Sequence, residues 1–236
     1  MKIARISPLL ALVAILLLLV SGPGVRLGWW TFLIGFHFLK WAAIVGLVAA
    51  ALGMLFLLVP ATRRNHSAWL VISILVGLGV AWLPWHSLQQ AHEVPAIHDI
   101  STDTHDPPAF VAVLPLRKDA PNSASYGGAV VANQQRVAYP DIQSLQLSLP
   151  PAQVFDRARN AAKSMGWAID AEVPGQGRIE ATATTAWFGF KDDIVVRIRA
   201  HGAGSIVDVR SESRLGESDV GTNAARIRKY LEALSG

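Results

Sequence analysis

The sequence predicts an α-helical membrane region followed by an α+β domain, a two-layer antiparallel sheet with its helices on one face. Three observations predict it. Residues 1–92 hold three long apolar blocks, six Lys or Arg and no Asp or Glu, the first acid being Glu93. From Ile142 onward, apolar and polar residues alternate with a period of two over several short runs, the mark of half-buried strands. Two stretches of helical periodicity flank those runs, so the helices can cover one sheet face.

Charge separates the regions further. The chain has 21 Lys+Arg against 17 Asp+Glu, a formal net charge of +4. Six of the basic residues and none of the acids lie before Glu93, so residues 93–236 are slightly acidic. That part gives no electrostatic reason to expect nucleic acid as a partner. The chain contains no Cys, which excludes disulfides, thiolate metal sites and Cys nucleophiles.

A membrane-spanning helix needs roughly 20 apolar residues. The blocks predict spans at about 7–21, 39–59 and 68–84 within a membrane region of residues 1–85, the third ending at Pro84. The first follows Lys2 and Arg5 and stops at Ser21-Gly22-Pro23-Gly24. No small-x-small cleavage site stands out, so it reads as a retained helix rather than a signal peptide. Lys2, Arg5, Arg63 and Arg64 mark cytoplasmic ends, which puts the C-terminal domain on the far side. Trp29, Trp30, Trp41, Trp69, Trp82 and Trp85 lie near block ends, where indole rings favour the membrane interface. Residues 28–40 read as an interfacial helix or an extension of the second span, with Lys40 snorkelling. The alternative makes His37 and Lys40 intramembrane functional groups.

Residues 86–141 are rich in Pro, Asp, Asn, Ser and Gly and read as an extended linker with loops. Val111–Leu114 is a candidate short strand, and 118–133 the most mobile stretch. His86, His92, His98 and His105 stand among Glu93, Asp99, Asp103 and Asp106, which are metal-ligand types. Their spacing of six or seven residues fits no helical ligand pair and no compact zinc motif. They read as solvated, and no metal or other cofactor is expected.

The α+β domain spans residues 142–236. Leu145, Leu147 and Leu149 alternate with polar residues and predict a strand. Pro150-Pro151 opens a helix with Val154, Phe155, Ala158, Ala162 and Met165 on one face, and Gly166 ends it. Strands follow at about 167–173, 178–184, 193–200 and 205–213, with turns at 174–177 and 201–204. A four-residue turn at His201–Gly204 places Arg197 opposite Asp208. A final helix, from about Asp219 to Leu234, presents Ile227, Tyr230, Leu231 and Leu234. One sheet face is predicted to carry Ile169, Ala171, Ile179, Ala181, Ala183, Ile194, Val196, Ile198, Val207 and Val209. The other carries Asp170, Glu172, Arg178, Glu180, Arg197, Arg199, Asp208, Arg210 and Glu212. The order β-α-β-β-β-β-α resembles the helix-grip topology of TATA-binding-protein-like and lipid-carrier domains, a likeness of fold that transfers no function.

The densest polar run is Lys191-Asp192-Asp193 with the stretch from Arg210 to Asn223 and Arg226. Within it, Lys191, Asp192, Asp193, Arg210, Ser211, Ser213, Arg214, Ser218, Asp219, Asn223 and Arg226 are the candidate site residues, and His98, Asp99 and Asp103 are secondary candidates. Three segments carry a family resemblance: Asp99-Ile100-Ser101-Thr102-Asp103 with Pro107-Pro108; Trp187-Phe188-Gly189-Phe190-Lys191-Asp192-Asp193; and Arg210-Ser211-Glu212-Ser213-Arg214-Leu215-Gly216-Glu217-Ser218-Asp219-Val220-Gly221-Thr222-Asn223. They resemble the bacterial and plastid family catalogued as domain of unknown function 1499, over about 97–108 and 179–234. A leading block of membrane helices is also similar to that of bacterial members. The resemblance implies no activity and no cofactor.

Three readings fit the run. Arg210, Arg214 and Arg226 can pair with Asp192, Asp193 and Asp219 in a buried clasp between strand and helix. The helix start with Arg side chains and Lys191 can hold an anionic group. A hydrolytic site is the weakest reading, because the only His after residue 142 is His201, in a turn. Non-enzymatic binding or scaffolding at an outer membrane face is therefore expected. Membrane lipids, and an envelope protein, are the candidate partners. An enzyme acting on an anionic envelope substrate through Arg210–Asn223 is the alternative. The expected location is the bacterial inner membrane, multi-pass, with the C-terminal domain periplasmic.

Overall fold

The computed structural model describes residues 3–236, so Lys2 lies outside the described residues. The chain forms two compact units. One comprises residues 1–90 with 186–189, the other residues 91–185 with 190–236.

The first unit is built on three helices, α1 (Ile6–Arg26), α2 (Phe32–Leu57) and α3 (Pro60–Glu93), each long and apolar enough to cross a membrane. Several bounds differ from the sequence reading, among them the start of α3 at Pro60. α1 runs through Pro23 to Arg26, and α3 runs through Pro84 to Glu93. Proline removes one backbone donor but does not end a helix whose neighbouring turns still hold. Residues 32–40 extend the second span, and both His37 and Lys40 lie on its exposed surface. The His37 Nδ1 lies 2.8 Å from the Leu33 carbonyl of the preceding turn.

Small residues let these helices approach. A Cβ placed on Gly77 of α3 would lie 2.2 Å from the Gly46 carbonyl of α2. Such small contacts are the usual means of packing helices where lipid removes the hydrophobic drive. Ser7 donates to the buried Ala49 carbonyl at 3.0 Å and ties α1 to α2. Ala186–Gly189 belong to this unit. The Trp187 indole N–H donates to Ser21 Oγ at 3.2 Å, and the Phe36 and Phe188 rings meet edge to face.

The second unit is an α+β domain with an open antiparallel sheet of six strands. In chain order its elements are β1 (Asp99–Ser101), α4 (Gly128–Ala138), β2 (Leu145–Leu147), α5 (Pro151–Ser164), β3 (Ala168–Val173), β4 (Arg178–Thr184), β5 (Lys191–His201), β6 (Gly204–Ser213) and α6 (Thr222–Ser235). The spatial order is β1-β6-β5-β4-β3, and β2 also pairs with β6. β1 faces residues 210–212 of β6 and β2 faces residues 205–207, so two short segments share one edge. From β2 onward the predicted order β-α-β-β-β-β-α is present. Arg197 pairs with Asp208 and Ala200 with Ser205, the register that the turn length implied.

The core lies between sheet and helices. Ile179, Ala181, Ile194, Val196, Ile198, Val207 and Val209 meet Val154, Phe155 and Ala158 of α5 and Ile227, Tyr230 and Leu234 of α6. Trp167, expected in a strand, precedes β3 and stacks on Tyr230 with ring centres 4.8 Å apart.

Two predicted face assignments are overturned. β3 shifts register between Ile169 and Ala171, so Ala171 pairs with Glu180 and Glu172 with Ile179. A bulge at Asp170 adds one residue, and every later side chain changes face. Ala171 therefore joins the polar face and Glu172 the helix face, where it meets Arg159 and Lys163 of α5.

The segment read as an extended linker is likewise more structured than expected. It contributes β1 and α4, and Gln135 of α4 is buried with its amide bonded to the Ser101 backbone in both directions. Val111–Leu114 forms no strand. The Val111 and Val113 amides donate to the Glu180 carboxylate instead, and residues 114–117 make one 3-10 turn.

Candidate functional site: a charge cluster divided by the sheet

Adjacent residues of a strand point to opposite faces. Asp192 pairs with Ala183 and Ser213, whereas Asp193 pairs with Thr182 and Glu212. The polar run that looks continuous in the sequence is thus two clusters on the two sides of the sheet.

The helix-side cluster joins the end of β6 to the start of α6. Asp192 holds Arg226 at 2.5 Å. The Asn223 side chain donates to Ser213 Oγ at 3.0 Å and to the His98 carbonyl at 2.9 Å, and accepts from Ser211 Oγ and Arg226. Asp219 caps α6 by accepting from the amides of Gly221 at 2.8 Å and Asn223 at 2.7 Å. Burial raises the Asp219 pKa above the ordinary carboxylate value, against the pull of those two amides. The turn into α6 uses two left-handed residues, Val220 (φ 53°) and Gly221 (φ 78°). A β-branched residue in that region is strained. α6 itself starts at Thr222, later than expected, because these residues form its entry turn.

The opposite face carries the larger network. Asp193 accepts from Arg214 at 2.7 Å and from Arg117 at 2.6 Å. Arg117 also holds Glu212 at 2.9 Å. Arg210 grips both carboxylate oxygens of Asp99 at 2.8 Å and reaches Glu212 at 3.2 Å. The Phe110 ring lies under both the Arg117 and the Arg210 guanidinium, at 5.7 and 4.7 Å, and Tyr126 lies 5.4 Å from Arg210. Asn122 donates to the carbonyls of Ser213 and Gly216, both at 2.9 Å. Residues 103–126 thereby cover this face. Arg210 is only 2% exposed and Arg117 6%.

Burial, with Asp99 beside it, pushes the Glu212 carboxyl up to about 8 against the pull of Arg117 and Arg210. Burial also raises Asp99, and it raises the Tyr126 phenol to about 12. The hydrogen bond to Asp193 raises Arg214 further above its already high value. Further along the sheet, Asp208 accepts from Arg197 and Arg199, each at 2.9 Å, and Arg197 also binds Asp103 and Asp106.

The sequence-predicted residues therefore divide. Asp193, Arg210 and Arg214 meet Asp99 on one face, and Asp103 sits on the same face in the neighbouring network. Asp192, Ser211, Ser213, Asp219, Asn223 and Arg226 meet on the other. Lys191 points to solvent and contributes its carbonyl to the Arg214 amide. Ser218 accepts from the Val220 amide. His98 sets its ring Nδ1 against the Glu217 carbonyl at 3.2 Å. Among the described residues no group of three His, Asp or Glu is placed to hold a metal ion. Arg214 binds Asp193, and Asp219 caps a helix.

Sequence reasoning missed Arg117, Phe110, Asn122 and Tyr126. They lie in a stretch without periodicity, and the only signal pointing there was the neighbouring Pro107-Pro108, whose Pro108 carbonyl accepts from Arg210.

Comparison with known proteins agrees with these motifs. Residues 99–234 match the family model described as Protein of unknown function (DUF1499), and the chain belongs to that family. No curated protein matches the chain.

Proposed function

We propose that this is a multi-pass protein of the bacterial inner membrane whose sheet domain works on the periplasmic side without catalysis, binding or scaffolding an envelope component. One observation supports the non-catalytic reading most. Arg210, Arg214 and Arg226 are each held by a carboxylate of the same chain. Guanidinium groups already paired at 2.5–2.8 Å are poorly placed to seize an anionic substrate, and they fix the strand ends and helix start that frame a docking surface. The periplasmic placement rests on Arg5, Arg63 and Arg64 at the ends read as cytoplasmic. An open hollow of about 320 Å³ lined by Trp167, Thr184 and Thr222, with the exposed Lys229 at its rim, offers a surface for a segment of a partner protein.

Two measurements test the proposal. Alkaline phosphatase fused after Gly236 is expected to be active and a fusion at Asn65 inactive; the reverse pattern moves the domain to the cytoplasm. Phosphate or a soluble anionic lipid is expected to leave hydrogen exchange at the β6–α6 junction unchanged. Strong protection there, abolished by Arg214→Ala, would overturn the clasp in favour of an anion site and revive the enzyme reading.

A further inference from the structure

The first unit contains a groove that the sheet domain does not share. It runs between α1 and α3 and encloses about 660 Å³, within the range of about 300–1,000 Å³ usual for small-molecule sites. Its walls are mostly apolar, with Leu12, Ile15 and Val76 toward one end. Arg5, His66 and Trp69 line the other end. The one hydroxyl on the wall, Ser73, is already bonded to the Trp69 carbonyl at 2.7 Å. His66 is different: its Nε2 is buried and has no partner among the described residues. Arg5 is exposed and forms no ion pair among them, and no acid lies within residues 1–92 to neutralise it.

The dimensions match one membrane leaflet. From Ala4 to Ile15 the helix rises about 16 Å. Half of the hydrocarbon core is about 15 Å. Arg5 and His66 then lie at headgroup depth beside Trp69, a residue type that favours that layer.

We propose that this groove holds one anionic glycerophospholipid, with an acyl chain along Leu12, Ile15 and Val76 and the phosphate against Arg5 and the His66 Nε2–H. The polar end supplies positive charge and, in the tautomer that carries the proton on the His66 Nε2, a donor without an acceptor; an anionic phosphate is complementary to both. The groove distinguishes this lipid from the bulk lipid around the helices, because bulk lipid meets no such half-open groove with a cation at its mouth.

The test is native mass spectrometry of the full chain in detergent, titrated with phosphatidylglycerol or phosphatidylcholine. One phosphatidylglycerol per chain is expected to survive gas-phase activation, in preference to phosphatidylcholine. Arg5→Gln should lower its affinity by about fivefold, the effect of one basic residue at a membrane surface. Leu12→Trp fills the groove from its exposed rim, disturbs no buried packing, and should abolish retention. Several weakly held lipids per chain, equal retention of the two lipids, or unchanged retention in Leu12→Trp would each overturn the proposal. So would a dimer mass that Leu12→Trp converts to monomer, because a second copy would then occupy the groove.

Discussion

The two faces of the sheet are built from the same strands by opposite physics. On one face Ile194, Val196 and Val209 meet the apolar sides of α5 and α6, and burial of hydrocarbon does the work. On the other, residues 103–126 bring only a small apolar cluster, Phe110 and Val113 against Val195, and are held chiefly by Arg117, Arg210 and Arg214 acting on Asp99, Asp193 and Glu212. Apolar packing tolerates small shifts. Charge-assisted hydrogen bonds do not, and they pin an irregular segment in one place. Buried pairs stabilise little beyond a hydrophobic replacement, yet removing one partner is costly. The helix-covered face is therefore the forgiving one, and the charged face the one where single substitutions do most damage.

Substitutions sharpen or break that contrast. Arg210→Ala leaves Asp99 buried without its partner and Glu212 with Arg117 alone, and is expected to destabilise the domain by about 3–5 kcal/mol. Hydrogen exchange of the β5–β6 amides in the full chain measures it, and a loss below that of the apolar substitution below would refute the contrast.

The next effect is of pH. The folded pKa of Glu212 is raised from the ordinary 4.5 to about 8, so the folded state holds a proton that the unfolded state releases. Its contribution is fully present below about 4.5 and is lost as pH rises toward about 8. Asp99, also raised by burial, adds to the same trend. Exposed Asp141 behaves oppositely: its hydrogen bond to Arg228 lowers its pKa, so its contribution is lost as pH falls. Glu212→Gln should flatten the decline between pH 5 and pH 8 in the same exchange measurement; an unchanged slope would show that Glu212 is not its source.

A smaller loss, about 0.5–1.5 kcal/mol, is expected for Ile194→Val, next to Asp193 but facing the helices. The smallest belongs to Arg228→Ala, which removes an exposed pair with Asp141 and should cost about 0–1 kcal/mol. Parity of Arg228→Ala with Arg210→Ala would mean that burial does not govern these pairs.

Much of this contrast was legible in the residues. Alternation from Ile179 to Val209 identified the helix-covered face, and the turn at His201–Gly204 set Arg197 opposite Asp208. The split of Asp192 from Asp193 was also available, since neighbours in a strand diverge, although the density of the polar run suggested a single site. The bulge at Asp170 left no local mark, and so Ala171 and Glu172 were assigned to the wrong faces. Arg117 was beyond reach, because its partners lie 76 and 95 residues away in a segment without period.

By itself the sequence determined what local chemistry dictates: three apolar helices, the strand and helix order after Leu145, the apolar sheet face and the family motifs. These follow from periodicity and composition, which act over a few residues. Only the tertiary structure decided which Arg meets which carboxylate, that residues 103–126 cover the second face, and that His66 opens into a groove with Arg5. Those outcomes depend on which distant side chains are brought together in space, and the buried Arg–carboxylate pairs among them form because an unpaired charge there is too costly to keep.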